Sequence, residues 1–62
     1  MTRTQQINTL LTARQYGGDF MRHLAEAGLA ADPDNRAKVF ATWPDLAKVF
    51  GPNGVMYRED LG

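Results

Sequence analysis

The Trp43–Pro44 step most constrains the fold, because it divides one apolar helical pattern into two. Proline lacks a backbone N–H and disfavours helical geometry in the residue before it. We therefore expect one helix to end near Trp43 and another to begin with Pro44 in its first turn. The large apolar side chains around this step are Phe40, Trp43, Leu46, Val49 and Phe50. The pattern predicts that two helices meet here and bury much of the large apolar surface.

The length of the chain favours one small domain, residues 1–62. A domain of this size buries only about 60% of its unfolded surface, so its stability should be a few kcal/mol. Hydrophobic residues make up 44% of the sequence and include one Trp, two Tyr and three Phe, which argues against disorder. The chain has no cysteine and therefore no disulfide, a composition compatible with the reducing cytoplasm.

The charge balance argues against two classes of protein. Seven basic and seven acidic side chains cancel, which disfavours both a strongly basic nucleic-acid binder and a strongly acidic nucleic-acid mimic. No apolar run approaches the roughly 18 residues of a membrane span, and the N-terminus does not resemble a signal peptide. We expect a soluble cytoplasmic protein with no membrane partner.

The first helix is predicted from about Thr4 to Gln15, with Thr2 or Thr4 as its cap. Ile7, Leu10 and Leu11 form a narrow apolar stripe. The polar residues expected to face water are Gln5, Gln6, Asn8, Thr9 and Thr12. Gly17 and Gly18 should end the helix by adopting the left-handed conformation.

The second helix is predicted from about Gly18 to Ala30 and carries two neighbouring stripes. One consists of Phe20, Leu24 and Ala27, and the other of Met21, Ala25 and Gly28. The small residues Ala25, Ala27 and Gly28 should allow another helix to come close. Gly28 lowers helix propensity, so the last turn is expected to fray there.

The third helix has the clearest start, with Asp32 as N-cap and Pro33 in the first helical position. Asp34 and Lys38 are spaced as an i, i+4 ion pair. The short fourth helix should end at Gly51. The tail, residues 53–62, is predicted to be irregular and to fold its apolar residues onto the bundle. A hairpin joining residues 48–50 to residues 55–57 is the alternative.

The residues of catalytic sites are nearly absent. There is no serine or cysteine nucleophile, and His23 is the only histidine. A partly packed surface imidazole is favoured over a general base for His23. A single histidine with dispersed carboxylates does not supply a metal site. We therefore expect no enzymatic activity and no cofactor.

A set of carboxylates is the candidate partner-binding site, as an acidic patch that faces a basic partner. Its members are Asp32, Asp34, Asp45, Glu59 and Asp60. The competing interpretation assigns the first three to helix capping and the last two to solvation. The glycine turn before helix two also resembles a helix-turn-helix. An acid and two apolar residues at its start do not suit base recognition.

The spacing of turn glycines, core positions and caps resembles a pattern in small phage and prophage open reading frames. The matching residues are Tyr16-Gly17-Gly18-x-Phe20, Leu24-Ala25-x-Ala27, Ala31-Asp32-x-x-Asn35 and Pro44. In size and in lacking enzymatic motifs the chain is similar to anti-CRISPR proteins. The resemblance implies stoichiometric inhibition of a bacterial effector complex and supplies no active-site residues. The neutral charge departs from anti-CRISPRs that imitate DNA.

We expect an all-α domain of three longer helices and one short one. Its expected function is to bind and inhibit a bacterial defence complex, with a CRISPR effector in the host cytoplasm as the leading target. The first alternative is a small DNA-binding regulator. The second is a structural or assembly protein that self-associates. Both a monomer and a small homo-oligomer are compatible with the sequence.

Overall fold

A computed structural model describes residues 1–61 and contains four helices. These are α1 (Arg3–Tyr16), α2 (Asp19–Ala30), α3 (Pro33–Thr42) and α4 (Pro44–Phe50). The all-α prediction is confirmed, and residues 1–61 contain no strand, so the hairpin alternative is wrong. In the same range, no helix is both long enough and apolar enough to cross a bilayer. Gly62, the last residue of the predicted tail, lies outside the described residues.

Helix α1 is central to the bundle and packs against both α2 and α4. Residues 8–13 are all buried, so the prediction that Asn8, Thr9 and Thr12 face water was wrong. The hydroxyl of Thr9 donates to Gln5 O (2.7 Å), and that of Thr12 donates to Asn8 O (2.7 Å). Burial of these threonines leaves no hydroxyl unpaired, because each uses a carbonyl of its own helix.

The hydrophobic core joins α1, α2 and α4. Its buried members are Leu10, Ala13, Ala25, Leu46 and Phe50, and Met21, Leu24, Leu29, Val39 and Phe40 pack around them. Gly28 is also buried, and a Cβ placed there would lie 2.8 Å from Leu10 Cδ2. The close approach predicted for Ala25 and Gly28 is confirmed. Ala27 is exposed, so its assignment to the packed surface was wrong.

The α3–α4 corner is only partly buried, contrary to the prediction. Leu46 and Phe50 lie in the core, but Trp43 is 41% exposed and Val49 is 43% exposed. The fully buried large apolar side chains are Leu10 and Leu46. The core therefore lies where α1 packs against α2 and α4, while the tryptophan remains at the surface.

The turn between α1 and α2 depends on close packing instead of left-handed geometry. Gly17 has φ −76°, and no residue in the range 1–61 has a positive φ, so the predicted left-handed glycines were wrong. A Cβ on Gly17 would lie 2.5 Å from Ala13 O and 2.9 Å from Met21 Cβ. Glycine is needed at this position because any larger side chain would collide with Ala13 of α1 and Met21 of α2.

Helix caps account for the positions at which α1 and α3 begin. Thr2 accepts from Gln5 N at 3.1 Å, and Gln5 Oε1 accepts from Thr2 N at 2.9 Å, which forms a capping box. Asp32 accepts from Asn35 N at 2.8 Å, as predicted. Helix α2 continues to Ala30, two residues past the expected fraying point.

Candidate functional site

Two exposed aromatic side chains form a pair on the surface. Phe20, in the first turn of α2, is 57% exposed, and Trp43, between α3 and α4, is 41% exposed. Their ring centroids lie 5.7 Å apart, and the planes meet at 61°, an edge-to-face arrangement. Such a contact stabilises the pair by roughly 0.5–1.5 kcal/mol and fixes the ring orientations. The aromatic pair is thus an ordered apolar surface that the core leaves uncovered.

The exposed charged side chains of residues 19–50, the segment that carries the aromatic pair, have an acidic surplus. The exposed acidic residues are Asp19, Glu26, Asp32, Asp34 and Asp45, and the exposed basic residues are Arg22, Lys38 and Lys48. One exposed cation, Arg22, is bound to Asp19 at 3.2 Å. The exposed surface of this segment is therefore more acidic than its sequence indicates, because the fourth basic residue, Arg36, is buried.

Arg36 holds the start of α3 against the end of α2. It is only 6% exposed. Its Nε donates to Gly28 O (3.3 Å), and its NH2 group donates to Ala31 O (2.9 Å). A guanidinium at this position complements the negative end of the α2 dipole. The sequence did not indicate this role, since an Arg in an early helical turn has the pattern of a surface residue.

The five carboxylates of the predicted acidic patch occupy different local settings. Asp32 caps α3, and Asp34 and Asp45 lie exposed in the first turns of α3 and α4. Glu59 lines a surface concavity, and Asp60 is bound to Arg58. Capping is confirmed for Asp32. The common patch stays a prediction, and the predicted Asp34–Lys38 pair is not among the ion pairs of residues 1–61.

A hydrogen-bonded clasp holds the tail on α1. Arg58 N donates to the Thr12 hydroxyl at 3.1 Å, and the Arg58 guanidinium donates to Tyr16 Oη at 3.0 Å. The same guanidinium binds both carboxylate oxygens of Asp60, at 3.0 Å and 2.6 Å. These hydrogen bonds hold the pKa of the Asp60 carboxyl below its ordinary value, and Asp60 in turn raises the pKa of Arg58.

The polar clasp differs from the apolar docking that the sequence predicted. Val55 is 98% exposed and Met56 is 36% exposed, while Tyr57 is partly buried. The tail does fold back onto the bundle, and its hydrogen bonds to α1 come from Arg58. No periodic signal marks such a contact, because Arg58 and Thr12 are 46 positions apart.

His23 is an exposed side chain whose Nδ1 lies 3.4 Å from Glu26 Oε1. No group of three or more histidine or acidic side chains within residues 1–61 could hold a metal ion. The His23 side chain is 71% exposed, so its predicted surface location is confirmed and its predicted partial packing was wrong.

No protein-family model, curated protein or solved structure matches this chain. The exposure of Phe20 and Trp43 was missed at the sequence level, because aromatic residues at helical spacing are usually part of a core. The one sequence signal for this exposure was the second stripe on α2, Met21, Ala25 and Gly28, which can pack α2 against α1 without Phe20.

Proposed function

We propose that this chain is a non-enzymatic protein that binds and inhibits a bacterial defence complex, with a CRISPR effector as the leading target. The observation that carries the proposal is the aromatic pair Phe20–Trp43. Aromatic residues are enriched at protein interfaces, and tryptophan is enriched among the few hot-spot residues that supply most of the binding energy. In a domain with so small a core, leaving two aromatic rings exposed forgoes folding stability, which is consistent with a role in binding.

The acidic surplus of residues 19–50 indicates the chemistry of the target surface. Asp19 precedes Phe20 in the chain and Asp45 lies two residues after Trp43, and these exposed carboxylates favour a basic target surface. A cation over a Trp face adds about 0.5–2 kcal/mol. The channels that guide nucleic acids are basic in this sense. The same carboxylates disfavour direct contact with phosphates, so the surface supports a protein partner better than a nucleic acid. The choice of a defence complex follows from the resemblance to anti-CRISPR proteins.

The test has a functional arm and a binding arm. The tagged chain is expressed in cells that carry active CRISPR effectors of several types, and cleavage of a targeted plasmid is measured. The chain is then recovered from the lysate with and without nuclease. We expect one effector type to lose activity and its subunits to remain bound after nuclease treatment. Full activity of every effector, with no subunit recovered, would overturn the proposal.

The two alternatives give different results in the same preparations. A DNA-binding regulator would be recovered together with nucleic acid, which nuclease treatment would remove. Its affinity for duplex DNA would fall steeply with salt. A self-associating protein would show a molecular mass that rises with concentration. The exposed aromatic pair would also suit a second copy of the chain, so the mass is measured before the binding arm.

A further inference from the structure

The N-terminal half of α1 borders a second feature, which is independent of the aromatic pair. A surface concavity of about 330 Å³ is lined by Arg3, Thr4, Ile7, Asn8 and Glu59. Its volume lies at the lower end of the range of small-molecule sites. The tail supplies Glu59, so the clasp that fixes Arg58 and Asp60 also fixes one wall of the concavity.

Asn8 is the residue that points to a ligand. It is 8% exposed, yet its side-chain amide makes no hydrogen bond to another group within residues 1–61. In that range, Tyr57 Oη is the one enclosed side-chain oxygen or nitrogen that lacks a partner. The Asn8 amide is therefore not sealed inside the bundle, and the opening beside it is the concavity. An accessible amide with no partner among these residues can form hydrogen bonds with a ligand that enters the concavity.

Two opposite charges stand on the lining of the same concavity. Arg3 and Glu59 are both exposed, and neither takes part in an ion pair with another residue of the range 1–61. Neither charge is thus neutralised by a partner in this range, and each can bind a complementary group of a ligand. The partly buried Ile7 adds an apolar surface between polar neighbours.

We propose that this concavity binds a small zwitterion of the α-amino acid class, either a free amino acid or a dipeptide, with an apolar side chain. The Arg3 guanidinium binds the carboxylate, for which its planar fork is suited. Glu59 binds the ammonium group. The Asn8 amide, which offers both donors and an acceptor, bonds to the polar backbone of the ligand, and Ile7 contacts its side chain.

The test is an NMR titration of the whole chain, which follows the backbone amides of the lining residues and the Asn8 side-chain NH₂ signals. Leucine and the dipeptide leucyl-leucine are the probes. The one that binds more tightly shows which separation of ammonium and carboxylate fits between Glu59 and Arg3. N-acetyl-leucine lacks the ammonium charge and leucinamide lacks the carboxylate. We expect saturable shifts with one zwitterion, and binding at least tenfold weaker for both blocked compounds, a difference of about 1.4 kcal/mol.

Matched variants assign the two charges. Arg3→Gln should weaken zwitterion binding about tenfold, whereas Arg14→Gln, another exposed arginine of α1, should leave it unchanged. Glu59→Gln should weaken binding similarly, and Asp34→Asn should not. Absence of saturable shifts with both probes at about 10 mM, a concentration that would nearly saturate a site with a Kd of about 1 mM, would overturn the proposal. Equal binding of zwitterionic and blocked compounds would overturn it as well.

Discussion

Thr12 connects two parts of the chain that are far apart in sequence. Its buried hydroxyl donates to Asn8 O and accepts from Arg58 N, so one oxygen serves both a helix and the tail. Thr9 is equally buried, but its hydroxyl donates to Gln5 O of its own helix and to the Met1 sulfur. The two threonines therefore have the same burial and different structural roles.

This difference predicts unequal effects of an isosteric substitution. Thr12→Val leaves the Arg58 N–H without its acceptor and should lower the free energy of unfolding by about 1–3 kcal/mol. Thr9→Val removes the bond from the side chain to its own helix and the longer one to the Met1 sulfur, and it should change the free energy of unfolding by less than about 1 kcal/mol. Urea unfolding of both variants measures the difference. Equal losses would show that the tail contact contributes nothing.

Tyr57 presents the opposite situation, because its hydroxyl is enclosed and has no partner among the described residues. Tyr57→Phe should leave the stability unchanged or raise it by about 1 kcal/mol, since the desolvation cost of the hydroxyl disappears. Tyr16→Phe is the matched control, because it removes the acceptor of the 3.0 Å bond from Arg58. That control should lower the stability slightly. Urea unfolding measures both, and a loss above about 1 kcal/mol for Tyr57→Phe would show that its hydroxyl is hydrogen-bonded after all.

At the scale of the helices, the ends were predictable and the faces were not. Prolines and cap residues act locally, so Asp32, Pro33 and Pro44 marked boundaries that the structure confirms. Which side of a helix is buried depends on its neighbours. The threonines of α1 looked polar and are buried, while Phe20 looked like a core residue and is exposed. Apolar periodicity alone does not distinguish two stripes of similar size.

Arg36 tests the connection between α2 and α3. Arg36→Met keeps most of the apolar stem and removes the hydrogen bonds to Gly28 O and Ala31 O. Bonds from a charged donor are worth about 1.5–3 kcal/mol each, so we expect a loss of at least about 1.5 kcal/mol in the free energy of unfolding. Lys38→Met, an exposed change in the same helix, should stay within about 0.5 kcal/mol. Similar values for the two variants would argue against this capping role.

The tail clasp predicts a dependence of stability on pH. The pKa of Asp60 is lowered in the folded chain by the hydrogen bonds from Arg58. Its stabilising contribution is therefore complete above the unfolded pKa and is lost as the pH falls through the folded pKa. Unfolding midpoints measured down to about pH 2 should decline less steeply for Asp60→Asn than for the unchanged chain. Asp34→Asn is the control and should decline as the unchanged chain does. An identical decline in the unchanged chain and Asp60→Asn would exclude the clasp as a source of the pH dependence of stability.

At the scale of the whole molecule, different residues form the core and the proposed binding surface. The buried cluster around Leu10 and Leu46 holds the helices together, while Phe20 and Trp43 lie largely outside it. The full acidic surplus of residues 19–50 was also beyond sequence reasoning, because five acidic against four basic side chains in the sequence become five against three at the surface once Arg36 is buried. A surface substitution at Phe20 should thus affect binding far more than folding.

Two lysine substitutions at exposed apolar positions show whether the aromatic pair is the binding surface. Phe20→Lys removes half of the aromatic pair and places a cation before a basic target, whereas Val55→Lys changes a 98% exposed residue of the tail. The measurement is the affinity of each variant for the effector complex that the unchanged chain retains. We predict an affinity at least about 30-fold weaker for Phe20→Lys, about 2 kcal/mol, with normal binding by Val55→Lys. Loss of the edge-to-face contact should lower the free energy of unfolding of Phe20→Lys by about 0.5–1.5 kcal/mol, and Val55→Lys should leave it nearly unchanged. Unchanged affinity of Phe20→Lys would contradict the assignment of the aromatic pair as the binding surface.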